Sequence, residues 1–169
     1  MSKGKALLIL HGKQALNEEV RTAVMLKREQ GWELAVRLTW EAGDAQRCVD
    51  EALEAGYTRL IAGGGDGTLR DIAEAIVLKS SEASLVLLPL GTANDFARAA
   101  GVPLEPAQAL DLLDVAPQAV DVGEVCGRIF LNMATGGFGS QVTANTSEDL
   151  KKVLGARPTC SPAYRDSVN

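Results

Sequence analysis

The chain has 169 residues, with 17 Lys and Arg against 22 Asp and Glu, and a formal charge of −5. That balance argues against nucleic acid as the main partner and against steady electrostatic anchoring on anionic lipid. The length suits one α/β domain with a sizeable core and a little more, and no stretch is apolar for long enough to span a bilayer.

Ala6–Leu10 reads as a buried first strand, too short an apolar run for a signal peptide, turned at His11-Gly12-Lys13. His11 is the only histidine, and at a strand end it reads as structural or solvated rather than as a base. Leu16, Val20, Ala23 and Val24 share a helical stripe that Gly31 ends. Leu34, Val36 and Leu38 alternate as a strand ending at Thr39. Asp44 is placed to cap the next helix, whose stripe of Ala45, Cys48, Val49, Ala52 and Leu53 makes Cys48 a core residue. Three widely spaced cysteines, Cys48, Cys126 and Cys160, point to reduced thiols in a cytoplasmic protein.

The next strand, Leu60–Ala62, runs into Gly63-Gly64-Gly65-Asp66-Gly67-Thr68, and a helix with Leu69, Ile72, Ala73, Ile76 and Val77 on one stripe follows. Strand, glycine turn and helix present free backbone N–H groups and the positive end of a helix dipole, a place for phosphate. No Lys follows the glycines, which excludes a Walker loop. Arg70 stands where a dinucleotide fingerprint needs its third glycine. An acid beside phosphate is repulsive unless a divalent cation or a sugar hydroxyl intervenes, so Asp66 is read as acting through one of these, with no evident structural duty.

Leu85–Leu88 is a fourth strand closed by Pro89, and Gly91-Thr92-Ala93-Asn94-Asp95 opens a short helix, Phe96–Ala100. Two such turns on neighbouring parallel strands form a crevice at their carboxyl ends. Thr92 can donate its hydroxyl to phosphate, while Asn94 and Asp95 can bind ribose or fix the loop, Asp95 doubling as a helix cap. Ala109, Leu110 and Leu113 mark one more helix. Ala119–Val125 and Arg128–Met133 then read as a hairpin joined at Cys126-Gly127, with a domain boundary near Val120. Thr135–Gly139 is glycine-rich, and a last helix spans Ser147–Leu154. The expected division is 1–120, 121–154 and an irregular tail, 155–169, read as an unstructured terminus or as the product of a shifted reading frame.

Gly64-Gly65-Asp66-Gly67-Thr68, Gly91-Thr92-Ala93-Asn94-Asp95-Phe96-Ala97-Arg98 and Asn132–Gly139 together resemble the YegS-like bacterial lipid kinases of the diacylglycerol-kinase catalytic-domain family. The resemblance runs over residues 6–154. It implies a three-layer α/β domain with a mainly parallel sheet, as in NAD kinases and diacylglycerol kinases, followed by the first strands of an incomplete β-sandwich. It implies ATP and Mg2+, with the γ-phosphoryl group passing to a lipid hydroxyl of diacylglycerol or phosphatidylglycerol type at a membrane surface. By resemblance the nucleotide meets Thr39, Gly64, Gly65, Asp66, Gly67, Thr68, Leu69, Arg70, Asp71 and Thr92, with Asn94 and Asp95 as further candidates; no metal site is assigned. Two departures stand out: His11 where the family has Asn, and Arg70-Asp71 where it has Asn-Glu, leaving Arg70 to pair with phosphate instead.

In the resembled family the general base, a metal-stabilised loop and the lipid pocket belong to the second domain. No catalytic residue is therefore assigned within this chain, which is expected to bind ATP weakly without phosphorylating lipid. Two other readings remain at this point, an NAD-kinase-like phosphotransferase and a non-catalytic nucleotide-binding remnant or sensor.

Overall fold

The computed structural model describes residues 2–125 and 127–131. They fall into two units, one up to Ala119 and one from Val120. The first unit holds four strands, β1 (Gly4–His11), β2 (Trp32–Thr39), β3 (Arg59–Gly64) and β4 (Ser84–Pro89). Between and after them lie α1 (Glu18–Glu29), α2 (Asp44–Glu54), α3 (Asp66–Leu78), α4 (Asp95–Ala100) and α5 (Pro106–Leu110), the last continuing as a 3-10 turn, Asp111–Asp114. All strand pairs in this unit are parallel, in the order β2-β1-β3-β4.

Parallel strands covered on both faces read as unbroken apolar runs, and β1 is the clearest case, with Ala6–Leu10 buried throughout. Ala6, Leu8 and Leu10 join Ile61, Val86 and Leu88 beneath α1 and α5, through Val20, Ala23, Val24, Ala109, Leu110 and Leu113. On the alternate positions Leu7, Ile9, Leu60, Ala62 and Leu87 are buried as well. Helices α2 and α3, packed on each other and on the sheet, contribute Cys48, Val49, Ala52, Leu69, Ile72, Ala73 and Ile76. Three layers result, as the resemblance implied. Burial pushes the Cys48 thiol pKa up, so this core cysteine stays a thiol and behaves as a small apolar side chain.

Some element ends differ from the sequence reading. Leu16 is not part of the stripe of α1: it precedes the cap Asn17, whose side chain accepts from Glu19 and Val20 N–H, and it is 92% exposed. Asp44 does not cap α2, whose N-cap is Gly43 in the left-handed region. Its carboxylate instead turns back and accepts from Trp40 N–H at 2.7 Å and Glu41 N–H at 3.0 Å, with Arg47 donating at 2.9 Å.

These partners, Glu41 N–H first, then Arg47 and Trp40 N–H, hold the Asp44 pKa at about 2, below its ordinary value of 3.8. A carboxylate depressed by folding stabilises the fold above its unfolded pKa, and the contribution is lost as pH falls from 3.8 toward about 2. Asp44→Asn is therefore expected to lower the denaturation midpoint at neutral pH and to leave a smaller gap from wild type near pH 2. Denaturant melts across that range check it, and a gap independent of pH would contradict it.

At the amino ends of the strands, Lys27 is almost fully buried, with 2% of its side chain exposed. Its ammonium lies 2.7 Å from Asp111 Oδ1, 2.7 Å from Asp114 Oδ2 and 2.9 Å from Gln30 Oε1. Asp114 also accepts from Trp32 Nε1 and Lys3 Nζ, both at 3.1 Å. Burial alone would lower the lysine pKa; hydrogen bonds to Asp111 and Asp114 outweigh it and raise the net value. The same lysine bond holds Asp114 well below the usual carboxylate range.

In the second unit β5 (Gly123–Val125) pairs antiparallel with β6 (Arg128–Phe130), Gly123 facing Phe130. The Phe130 ring occupies the space a Cβ on residue 123 would need. β5 begins later than the sequence pattern implied, and β6 ends before Leu131. Cys126, Cys160, Thr135–Gly139, Ser147–Leu154 and the tail lie outside the described residues.

Candidate phosphate-binding site

All four strands of the first unit point their carboxyl ends the same way, so His11, Thr39, Gly64 and Pro89 share one edge of the sheet. The chain leaves β1 for β2 on one side and later returns to β3 on the other. That reversal lies between β1 and β3, and open α/β sheets bind ligands at such a point.

The turn after β3 is closely packed around its glycines. A Cβ on Gly63 would stand 2.9 Å from the Leu8 and Leu10 side chains, and one on Gly64 would overlap the Thr68 side chain. A Cβ on Gly91 would lie 2.5 Å from Gly65 Cα and 3.0 Å from Asn94 Oδ1. The turns after β3 and β4 therefore touch backbone to backbone, tied further by Leu90 N–H donating to Gly64 O at 2.8 Å. Gly67 differs: nothing lies within 4 Å of a Cβ placed there, so it faces open space.

Leu69 N–H finds a helical acceptor in Gly65 O at 3.1 Å. The N–H groups of the first turn ahead of it are those an α-helix leaves for outside acceptors, beside the positive end of the dipole. Thr68 is half-buried against Gly64, and Thr92 is exposed on the second turn. Leu69, expected at the nucleotide, has its side chain in the core with 4% exposure. Arg70 and Asp71 are exposed and paired with each other, Arg70 Nη2 donating to Asp71 Oδ1 at 3.0 Å. Thr39 ends β2 opposite His11, and its carbonyl oxygen would sit 2.5 Å from a Cβ on Gly12. The His11 ring is structural here: its Nδ1 accepts from Lys13 N–H at 3.2 Å.

Asp66 has the structural duty that the sequence did not disclose. Its two carboxylate oxygens accept from Asp95 N–H at 2.9 Å and Phe96 N–H at 3.0 Å. It thus caps α4 from the opposite turn and bridges the crevice. Asp95, read as a helix cap, lies in the first turn of α4, and the N-cap position belongs to Asn94. Asn94 is buried in the left-handed region at φ 51°, and its amide closes the second turn on Gly91, accepting from Gly91 N–H at 2.9 Å and donating to Gly91 O at 2.8 Å. Gln14 Nε2 donates to Leu90 O at 3.2 Å and so ties the segment after β1 to the same turn. A Gly-x-x-Asn spacing was the one local hint of the Asn94 lock, because Asn tolerates that backbone.

Two grooves of this unit lie elsewhere, beside Arg28, Trp32 and Tyr57 and beside Glu19, Leu26 and Pro106, and neither is lined by the turns. Among the described residues no three acidic, histidine or cysteine side chains gather as a metal cradle. No helix among them is long and apolar enough to cross a membrane.

The sequence profile of the diacylglycerol kinase catalytic domain matches residues 5–125, which takes in both glycine turns and, but for Gly4, all four parallel strands. The chain belongs to that family. This diacylglycerol kinase catalytic domain has curated relatives named "Probable lipid kinase YegS-like". One from Pseudomonas fluorescens Pf-5 is 80% identical over 155 residues, covering 92% of this chain and 52% of the relative. Another from Pseudomonas aeruginosa is 72% identical over 155 residues, covering 92% of this chain and 51% of the relative. The chain thus spans about half the length of these relatives. Among solved structures, a diacylglycerol kinase from Bacillus anthracis strain Sterne superposes with a TM-score of 0.65 at 30% identity. That likeness covers 75% of this chain and 48% of the other.

Proposed function

We propose that this chain is the nucleotide-binding part of an ATP-dependent lipid kinase, which moves the γ-phosphoryl group to a hydroxyl of a diacylglycerol- or phosphatidylglycerol-type lipid. The observation that carries the reading is the pairing of two glycine turns, backbone to backbone, at neighbouring carboxyl ends of a parallel sheet. In this reading Gly64, Gly65, Gly67 and Thr68 cradle phosphate, with the open face at Gly67 admitting it, and Thr92 donates its hydroxyl. Asn94 holds the second turn in shape rather than meeting the ligand. Exposed Arg70 and Asp71 line the approach, and Thr39 lies beside the nucleoside.

Magnesium binds through one or two carboxylates plus phosphate and water, and Asp66 fits as such a carboxylate, because each oxygen that accepts one N–H retains a further lone pair. When bound, the ion neutralises phosphate charge. The chain's own residues orient the nucleotide, so that the acceptor hydroxyl can approach in line.

Thr92→Val tests the site. The exchange keeps the shape and removes the donor, and a hydrogen bond to a charged group contributes about 1.5–3 kcal/mol. ATP affinity is expected to fall about tenfold or more with the melting point unchanged, as read by calorimetry and thermal melts. Unchanged affinity would make Thr92 a turn residue only. The acceptor is tested in a chimera in which this chain replaces the matching 155 residues of the P. fluorescens relative. Label passing from ATP to diacylglycerol or phosphatidylglycerol supports the proposal; label passing to NAD instead overturns it.

A further inference from the structure

The chain has two tryptophans, and they sit in opposite surroundings. Trp32 is 5% exposed, packed in the core with its Nε1 bound to Asp114. Trp40 is 92% exposed. An indole left in water forgoes the burial that usually draws so large an apolar ring inside, which calls for a reason.

The backbone under Trp40 is not loose. Its N–H donates to Asp44 Oδ2 at 2.7 Å, Glu41 N–H donates to the same oxygen at 3.0 Å, and Arg47 holds the other oxygen at 2.9 Å. On the other side Thr39 O lies hard against Gly12. The ring is therefore displayed from a fixed base.

Its position is equally defined. Trp40 follows the last residue of β2, on the edge that carries both glycine turns. From β2 across β1 to β3 is two strand spacings, about 10 Å. That is the reach of a nucleotide from its phosphates to its base. The turns themselves offer backbone N–H groups, hydroxyls and a carboxylate, all suited to phosphate and none to a flat aromatic ligand.

We propose that Trp40 is the platform on which the nucleobase stacks when phosphate occupies the Gly64–Thr68 turn, which makes it a positioning residue for the nucleotide. The inference rests on the nucleotide reading above. Stacking accepts any base with a π-face, so the platform supplies affinity without reading the base edge. ATP and GTP are then held alike, and pyrimidine nucleotides more weakly. A lipid surface is the other partner an exposed indole fits. Glu41, next to Trp40 in the sequence, and the net charge of −5 oppose anionic lipid.

The test titrates wild type, Trp40→Ala and Trp40→Phe with Mg-ATP and with Mg-tripolyphosphate, following binding by calorimetry and Trp40 emission by the difference between wild type and Trp40→Phe. Expected are quenching by ATP, a loss of ATP affinity of roughly tenfold in Trp40→Ala, a smaller loss in Trp40→Phe, and unchanged tripolyphosphate affinity throughout. Equal ATP affinity in wild type and Trp40→Ala overturns the platform while leaving the phosphate turns intact. A blue shift on vesicles of phosphatidylcholine and phosphatidylglycerol, with no response to ATP, overturns it in favour of a membrane contact. Absence of binding to either ligand by the wild type sinks the phosphate reading and this one with it.

Discussion

Asp66→Ala should lower both Mg-nucleotide affinity and stability, while Asp95→Ala leaves stability near wild type. The carboxylate of Asp66 satisfies two N–H groups at the start of α4 from across the crevice, whereas the Asp95 side chain is exposed. Losing a helix cap costs about 1 kcal/mol, and two charge-assisted bonds lost together should cost about 2. With the cap gone, α4 and the Gly91–Asn94 turn lose their tie to the first turn, so affinity should fall by more than tenfold. Asp66→Asn separates the causes: it retains one acceptor for α4 and removes the charge that a phosphate-bound metal would meet. It should recover much of the stability and little of the affinity. Thermal melts and Mg-ATP titrations of the three variants check this. Full nucleotide affinity in Asp66→Asn would assign the residue to the fold alone.

The second large effect is expected at the opposite end of the sheet. Asp114→Ala removes an acceptor from buried Lys27 and also strands the Trp32 indole N–H, while exposed Lys3 returns to water. Breaking a buried ion pair from one side costs about 3–5 kcal/mol, but Asp111 and Gln30 remain within reach of the lysine, so about 2–3 is expected. Lys27→Met should cost less. It keeps most of the buried stem, and the carboxylates it abandons are 65% and 36% exposed and can return to water. Urea midpoints give the order, with nucleotide affinity unmoved in both. A larger loss in Lys27→Met would mean that the ammonium's bonds to Asp111, Asp114 and Gln30, not the stem the variant keeps, hold α1 to the 3-10 turn.

Much of the fold was legible because parallel strands buried on both faces leave long apolar runs, as at Ala6–Leu10 and Leu85–Leu88. Edge strand β2 was harder. Its alternation of Leu34, Val36 and Leu38 predicts one buried face, yet Leu38 is 46% exposed. Leu16 fits the helical spacing and still lies outside α1, because the cap Asn17 decides where the helix starts. The two glycine turns were legible because their chemistry is local. The role of Asp66 was not, since its partners lie 29 and 30 residues away and depend on how β3 and β4 align. Leu69 illustrates a conflict already present in the sequence: the helical stripe put it in the core while the family resemblance put it at the nucleotide, and its 4% exposure follows the stripe.

The central place of β1 has a consequence for the order in which the protein can be made. A ribosome delivers β1 and β2 as partners long before Arg59–Gly64 appears, so one edge of Ala6–Leu10 must wait with its N–H and C=O groups unpaired. Such a half-built parallel sheet is open to wrong pairing during synthesis, and non-local pairing of this kind is slow. The strand that finally covers that edge is the one that ends in Gly63 and Gly64. Nascent chains halted before β3 should therefore be both protease-sensitive and unable to hold phosphate, and phosphate binding should arrive only once α3 and the Gly91–Asn94 turn have also been made.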